Sequence, residues 1–202
     1  MSADADAIIG LYERHAHAWD RNRGGELILE RHWMDRFAAQ LPAGGSVLDI
    51  GCGTGQPIAR HLLEHGFAVT GIDGSPTLIA RCRERFAQAQ WLVADMRTLS
   101  LQRRFNGLIA WDSFFHLSHD AQRNMFAIFR EHAADDAVLM FTSGTEHGTA
   151  IGSFEGEPLF HASLSTAEYG SLLEAHGFAV LHHESEDPEC GGHTIWLAQL
   201  RQ

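Results

Sequence analysis

The stretch Val47–Gly55, V-L-D-I-G-C-G-T-G, limits what this chain can fold into more than any other. Val47, Leu48 and Ile50 form a short apolar run suited to a parallel strand covered on both faces, and Gly44-Gly45 supplies the turn before it. Asp49 is the one charge in that run. Gly51, Gly53 and Gly55 let the backbone turn sharply and leave the main chain open to close approach, where any Cβ would clash. Pro57 suits a helix's first turn, since the N–H it lacks would be unpaired there, and Ile58–His65 continues as the helix. The glycines therefore join the carboxyl end of a strand to the amino end of a helix, the crevice where open α/β sheets bind ligands.

Gln56 stands where the dinucleotide fingerprint G-x-G-x-x-G needs its third glycine, and no lysine follows as in a phosphate-binding loop. A carboxylate beside the glycines suits an ammonium-bearing ligand better than a pyrophosphate. With an acid two residues ahead of G-x-G-x-G, the stretch resembles the first motif of the class I S-adenosylmethionine-dependent methyltransferases, and the resemblance covers nearly the whole chain from Val47 onward. It implies an α/β fold: a Rossmann-like, seven-stranded, mostly parallel sheet with helices on both faces and an antiparallel C-terminal hairpin. It also implies S-adenosylmethionine as cofactor, S-adenosylhomocysteine as product, and cofactor contacts at Asp49, Gly51, Cys52, Gly53, Thr54 and Gly55.

Composition narrows the partners. A formal net charge of −11 leaves no general footprint for phosphate backbones, so nucleic acid is not expected as a substrate. No apolar run approaches the ~20 residues of a membrane span, and the first residues carry neither a basic start nor a cleavable apolar core, so the chain is expected off the membrane and in the cytoplasm. Cys52, Cys82 and Cys190 form no C-x-x-C pair, which argues against a disulfide framework or a zinc knuckle. At 202 residues the chain is expected to fold as one domain, 1–202, acting as a monomer or homodimer.

Ahead of the first strand, Ile8, Leu11, Tyr12 and Trp19 predict a helix over about Ala5–Trp19, a loop follows over Asp20–Gly25, and a second helix is predicted over Glu26–Gln40. Such a front end, residues 1–42, resembles the helical cap of small-molecule methyltransferases, and Tyr12, Trp19 and Arg21 match the residues that close over the cofactor. A second strand, Phe67–Asp73, ends in Gly74-Ser75-Pro76, and the resemblance puts Gly74 and Ser75 with Asp73 among the cofactor contacts. Asp73 lies 18 residues past Gly55, where Rossmann-like folds place an acid on ribose hydroxyls; Ser75 is available to cap the helix Pro76–Ala87. Asp95-Met96 closes a third strand, Trp91–Ala94, and the resemblance puts the adenine amino group on Asp95 with Met96 packing beside it.

The fourth strand, Phe105–Ala110, runs into Trp111-Asp112-Ser113-Phe114-Phe115-His116, where the family places groups next to the transferring methyl. D-S-F-F lacks the prolines of the N-P-P-Y and D-P-P-Y motifs of nucleobase and amide methylation. His116 is the natural general base, with Asp112 as the alternative; Trp111 is expected on the cofactor, Phe114 and Phe115 on the acceptor. After a helix at Gln122–His132 and a fifth strand at Ala137–Thr142, residues 143–165 read as a long irregular loop. It is expected to be a substrate lid presenting His147 and His161. Thr166 is expected to open a capping box, and strands Phe178–His183 and Thr194–Gln199 close the sheet. His182 and His183 face opposite ways on a strand and His193 has no ligand at metal spacing, so no metal is expected; His193 is instead aimed at the substrate.

The function implied is methyl transfer to an O, N or S atom of a small, uncharged or cationic metabolite. A nicotinamide-dependent oxidoreductase is disfavoured by Gln56, and a non-catalytic S-adenosylmethionine-binding module remains open.

Overall fold

The structure, a computed structural model, describes residues 3–27 and 29–201. Its parallel strands are β1 (Ser46–Ile50), β2 (Ala68–Asp73), β3 (Gln90–Val93), β4 (Phe105–Ala110) and β5 (Ala133–Ser143), and its later strands are β6 (Gly148–Phe154), β7 (Glu157–Ser163), β8 (Phe178–Asp187) and β9 (His193–Leu200). Seven of them form one sheet in the order β3-β2-β1-β4-β5-β9-β8, with β9 antiparallel to β5 and β8 antiparallel to β9. This is the seven-stranded, mostly parallel sheet with a closing hairpin that motif I implies.

Strand alternation decides which helices cover which face. On one face, Leu48, Ile50, Leu108, Leu139, Phe141 and Trp196 pack with α6 (His119–His132) and α7 (Thr166–Ala175) through Met125, Phe126, Phe129, Tyr169 and Leu173. On the other, Val47, Ile109, Val138, Met140 and Ile195 meet α3 (Arg31–Ala39), α4 (Ile58–Glu64) and α5 (Pro76–Arg85) through Trp33, Met34, Phe37, Leu62 and Ile79. Each face is a continuous apolar layer, so the sheet is buried between helices.

Three local expectations change. The predicted front helix is two, α1 (Ala3–Arg14) and α2 (Ala16–Arg23), jointed at His15, and the next begins only at Arg31 because Gly24 adopts φ +69° and ends the helix before it. Residues 143–165 are not an irregular loop: β6 and β7 form an antiparallel hairpin turned at Glu155-Gly156, both with positive φ. The cap of α7 is Ser165, not Thr166; its side chain accepts from the Glu168 N–H, so the capping register is S-T-A-E. Ser165→Ala is expected to cost about 1 kcal/mol, seen as a lower urea midpoint at unchanged slope. An unshifted midpoint would mean that the Glu168–Arg123 pair alone holds this helix start.

Candidate functional site

β1 and β4 are neighbours, but the chain leaves them toward opposite ends of the sheet, so a crevice opens at their carboxyl ends. Gly51 and Cys52 donate their N–H groups to the Ile72 carbonyl at 2.8 and 2.9 Å, which ties the glycine loop to β2. Gly51 has φ +78°, and a Cβ there would stand 2.4 Å from Ser113 Cβ. Only glycine fits this backbone and this space. Asp73 accepts from the Gly53 N–H at 3.0 Å and from the Ser75 N–H at 2.8 Å, and burial, outweighing these donors, pushes its carboxyl up to about 6. Asp49 is buried, its Oδ2 has no hydrogen-bond partner, and burial together with the Asp73 charge pushes it up to about 7. One carboxylate, Asp73, thus lines the main-chain cradle in the crevice, and a second, Asp49, is buried on β1 with an unsatisfied oxygen and lines neither cavity beneath the front helices.

The front helices lie over this cradle. Polar pins hold them: Glu13 accepts from Ser75 Oγ and Thr77, Asp6 accepts from Arg97 at 2.6 Å, and Asp20 takes both terminal nitrogens of Arg85. Glu157 of β7 accepts from Arg14 and His15, chiefly Arg14, which holds its carboxyl down at about 2. Ile9 crosses Gly74 and the Trp19 indole crosses Gly53. Beneath them are adjoining cavities of about 80 and 60 Å³, bounded in common by Ile8, Ile9, Gly51, Asp73, Gly74, Met96, Ser113 and His116.

Tyr12, His116 and Asp112 line the larger of these and belong to two polar pairs; His193, the partner of Asp112, lines neither cavity. The Tyr12 hydroxyl lies 2.9 Å from His116 Nε2, and His116 Nδ1 lies 2.8 Å from the Phe160 carbonyl. A carbonyl only accepts, so Nδ1 carries the proton and Nε2 accepts from Tyr12. Burial lowers His116 to about 4 and raises Tyr12, so both are uncharged at neutral pH. In the second pair, His193 Nε2 meets Asp112 Oδ1 at 3.0 Å while Nδ1 meets the Cys190 carbonyl. Both partners are acceptors, which favours two ring protons, and the Asp112 hydrogen bond accordingly raises the His193 pKa.

The other expected site residues separate into those at the crevice and those elsewhere. Tyr12, Trp19, Gly53, Gly74, Met96, Asp112 and His116 line the cavities, and Asp95 borders the smaller one with its carboxylate forked by Arg97. Ser75 is buried as the cap of α5. Phe115, His147 and His161 line a separate hollow of about 460 Å³ between the end of β5 and the hairpin, and His161 packs on His116 at 4.8 Å between ring centres. Phe114 is not at the acceptor side: it is fully buried among Phe126, Phe129, Phe141 and Tyr169. Trp111 points into the opposite core layer and stacks on His193, and Arg21 is exposed on α2 and lines neither cavity. Cys52 and Thr54 are buried with their side chains turned from both cavities, and Gly55 packs under Phe86 and Trp91. Missed from the sequence were Ile8, Ile9, Leu78 and Ser113, which line the crevice, and Phe154, which packs on Tyr12 and Trp19 from the hairpin. The Ile8-Ile9 doublet was the available signal, since one helix position beside another cannot face the same core.

A glycine cradle with Asp73 at its rim, at the switch point of a Rossmann-like sheet, defines a nucleoside-cofactor-binding α/β domain. The family described as "Methyltransferase domain" matches residues 19–183, and the chain belongs to it, among the class I S-adenosylmethionine-dependent methyltransferases. It is 34% identical over 101 residues to the dTDP-3-amino-3,6-dideoxy-alpha-D-glucopyranose N,N-dimethyltransferase of Streptomyces fradiae, covering 49% of this chain and 39% of that one. It is 28% identical over 167 residues to an O-methyltransferase of Pyrenophora dematioidea, covering 77% of this chain and 62% of that one. The matched region therefore spans under two thirds of these relatives. Among solved structures, the Burkholderia thailandensis 1,6-didemethyltoxoflavin-N1-methyltransferase, crystallised with 1,6-didemethyltoxoflavin and S-adenosylhomocysteine, superposes with a TM-score of 0.78 at 18% identity, covering 100% of this chain and 92% of that one. The amino pentose methyltransferase of Micromonospora echinaspora gives 0.69 at 19% identity, covering 91% and 95%.

Proposed function

We propose that this domain transfers a methyl group from S-adenosylmethionine to an O, N or S atom of a small metabolite. The observation that carries the reading is the cradle itself: main chain at Gly51 and Gly53 lining the cavity with Asp73 at its rim, and Asp49 Oδ2 buried and unpartnered on β1. These groups fit an adenosyl cofactor. Asp73 would accept from ribose hydroxyls, Asp49 would face the ammonium group, and Ile8, Ile9 and Met96 would bound the purine with Asp95 at its edge. S-adenosylmethionine supplies a methyl already activated on a sulfonium, so what remains for the chain is alignment, exclusion of water and removal of a proton.

Asp112 supports the alignment role: it lines the cavity, held by His193 Nε2 at 3.0 Å, and its carboxyl group can accept from an acceptor-borne O–H, N–H or S–H. Tyr12 and His116 support the proton role. Tyr12 takes the acceptor's proton as it passes its own to His116 Nε2, a site kept free of protons by the low His116 pKa. That base is weak, which suffices because the acceptor's proton becomes strongly acidic as its atom gains the methyl carbon.

Cavities of about 80 and 60 Å³ are smaller than the ~300 Å³ at the low end of small-molecule sites, so Ile9 and Trp19 lift with the front helices when the cofactor is admitted. Cutting one pin with Asp20→Asn is expected to speed S-adenosylhomocysteine association severalfold in stopped-flow tryptophan fluorescence, with Trp19 as reporter. An unchanged rate would remove the cap as a gate.

Asp49 gives a pH signature. Its carboxyl, raised to about 7, must be ionised to hold an ammonium, so affinity is expected to climb as pH rises toward about 7 and to level above it. Asp49→Asn should lose the upper part of this climb and keep the lower part owed to Asp73 near about 6. A flat profile in the unaltered protein would place the ammonium elsewhere. The activity itself is tested by S-adenosylhomocysteine release from S-adenosylmethionine with panels of small alcohols, amines and thiols. Binding without turnover on any of them would favour the non-catalytic module.

A further inference from the structure

Away from the crevice, α3 and α4 bring together three groups that the proposed chemistry does not use. Asp35 is exposed on α3, His61 is buried on α4, and His65, one turn on, is exposed at that helix's end. One donor atom from each lies within 4.8 Å of the others. His61 Nε2 is 3.2 Å from Asp35 Oδ1, yet this buried nitrogen makes no hydrogen bond. The two atoms are thus close without hydrogen-bond alignment. Tetrahedral zinc, with bonds of about 2.0–2.1 Å to nitrogen and oxygen, sets its donors about 3.3 Å apart.

His65 is prepared in the same sense. Its Nδ1 meets the His61 carbonyl at 2.7 Å and must donate to it, so Nε2 is the unprotonated nitrogen. Metal-binding histidines are held this way, with the second ring nitrogen donating to a carbonyl. His61 and His65 line a hollow of about 90 Å³ also bounded by Glu26, Arg31, Arg60 and Glu64. Arg60 is paired with Glu64 and Glu26, which leaves Arg31 as the cation nearest the triad.

We infer that Asp35, His61 and His65 form a site for a divalent transition metal of the zinc type, joining α3 to the helix that follows the glycine loop. The donor set is one carboxylate and two imidazoles, with the fourth position left to water.

The probe is ZnCl2 titrated calorimetrically into the full chain after EDTA treatment and dialysis, with Co2+ absorption as a second readout of coordination. One Zn2+ per chain is expected at this site, with affinity at least about tenfold weaker in Asp35→Asn and in His65→Gln. Both positions are exposed, so the variants should melt like the parent in the absence of metal. Because the chain has 14 histidines, His147→Gln serves as control and should bind like the parent, since its ring stacks on His119 in another part of the molecule. Absence of Zn2+ binding by the parent, or parent-like binding by both Asp35→Asn and His65→Gln, overturns the site. S-adenosylhomocysteine binding plays no part in either outcome.

Discussion

Asp73→Asn is expected to weaken S-adenosylhomocysteine binding about 100-fold, measured by calorimetric titration beside the parent protein. The ionised carboxylate is the natural acceptor for a ribose diol, and two charge-assisted hydrogen bonds at about 1.5 kcal/mol each give about 3 kcal/mol. Asparagine keeps the shape and one oxygen. Its amide nitrogen, however, would turn donors toward either the Gly53 or the Ser75 N–H, both of which Asp73 now satisfies. The variant is therefore also expected to loosen the glycine loop, and a thermal melt without ligand separates that loss from the loss of ligand contacts. Binding within threefold of the parent would remove the cofactor from this crevice. A loss of binding fully matched by unfolding would make Asp73 a loop anchor instead.

Asp73 was legible because two independent patterns converge on it: a strand ending in an acid, and a glycine turn at the ribose distance before it. The hairpin at residues 148–163 was hidden for a different reason. Its first strand is almost wholly exposed, so no apolar alternation marks it, and its turn uses Glu155-Gly156, with a glutamate at φ +51° where asparagine or aspartate usually signals the reversal. Phe114 and Phe115 show a limit of composition. On a tight turn, adjacent side chains diverge, so one enters the core and the other the hollow, and nothing in F-F says which. Trp111 lies one residue past the end of β4 and packs in the same core layer as Ile109, the side that continued strand alternation would give it.

The Asp112–His193 pair lay further out of reach. The two residues are 81 positions apart, and they meet because antiparallel β9 begins at the end of the sheet where parallel β4 and β5 finish. Strand direction is what brings them together, and direction is a property of the assembled sheet. The same is true of Tyr12 and His116, 104 positions apart, which meet only once α1 has docked on β7 through Ala5, Ile8, Phe160 and Ala162. Motif reading therefore finds the half of the site carried by one loop, and the half made by packing needs the fold.

Tyr12→Phe is expected to lower kcat about 100-fold once an acceptor is in hand, the low end of what a positioned acid–base group contributes. The substitution deletes one oxygen. It leaves the ring contacts to Trp19 and Phe154 in place and leaves His116 Nε2 without its donor. Cofactor affinity should change by less than about threefold, because the aromatic wall over the cradle survives. The pH profile adds a sign. In the parent, His116 must be unprotonated to accept, so kcat is expected to fall only as pH drops toward about 4, and this acid limb should flatten in the variant. Were kcat to hold at the parent value, proton uptake would pass to Asp112, and Asp112→Asn would then have to show the loss. Should S-adenosylhomocysteine affinity collapse along with kcat, Tyr12 would belong to the cofactor clamp that the front-end resemblance implies, and the relay to His116 would be no more than a packing hydrogen bond.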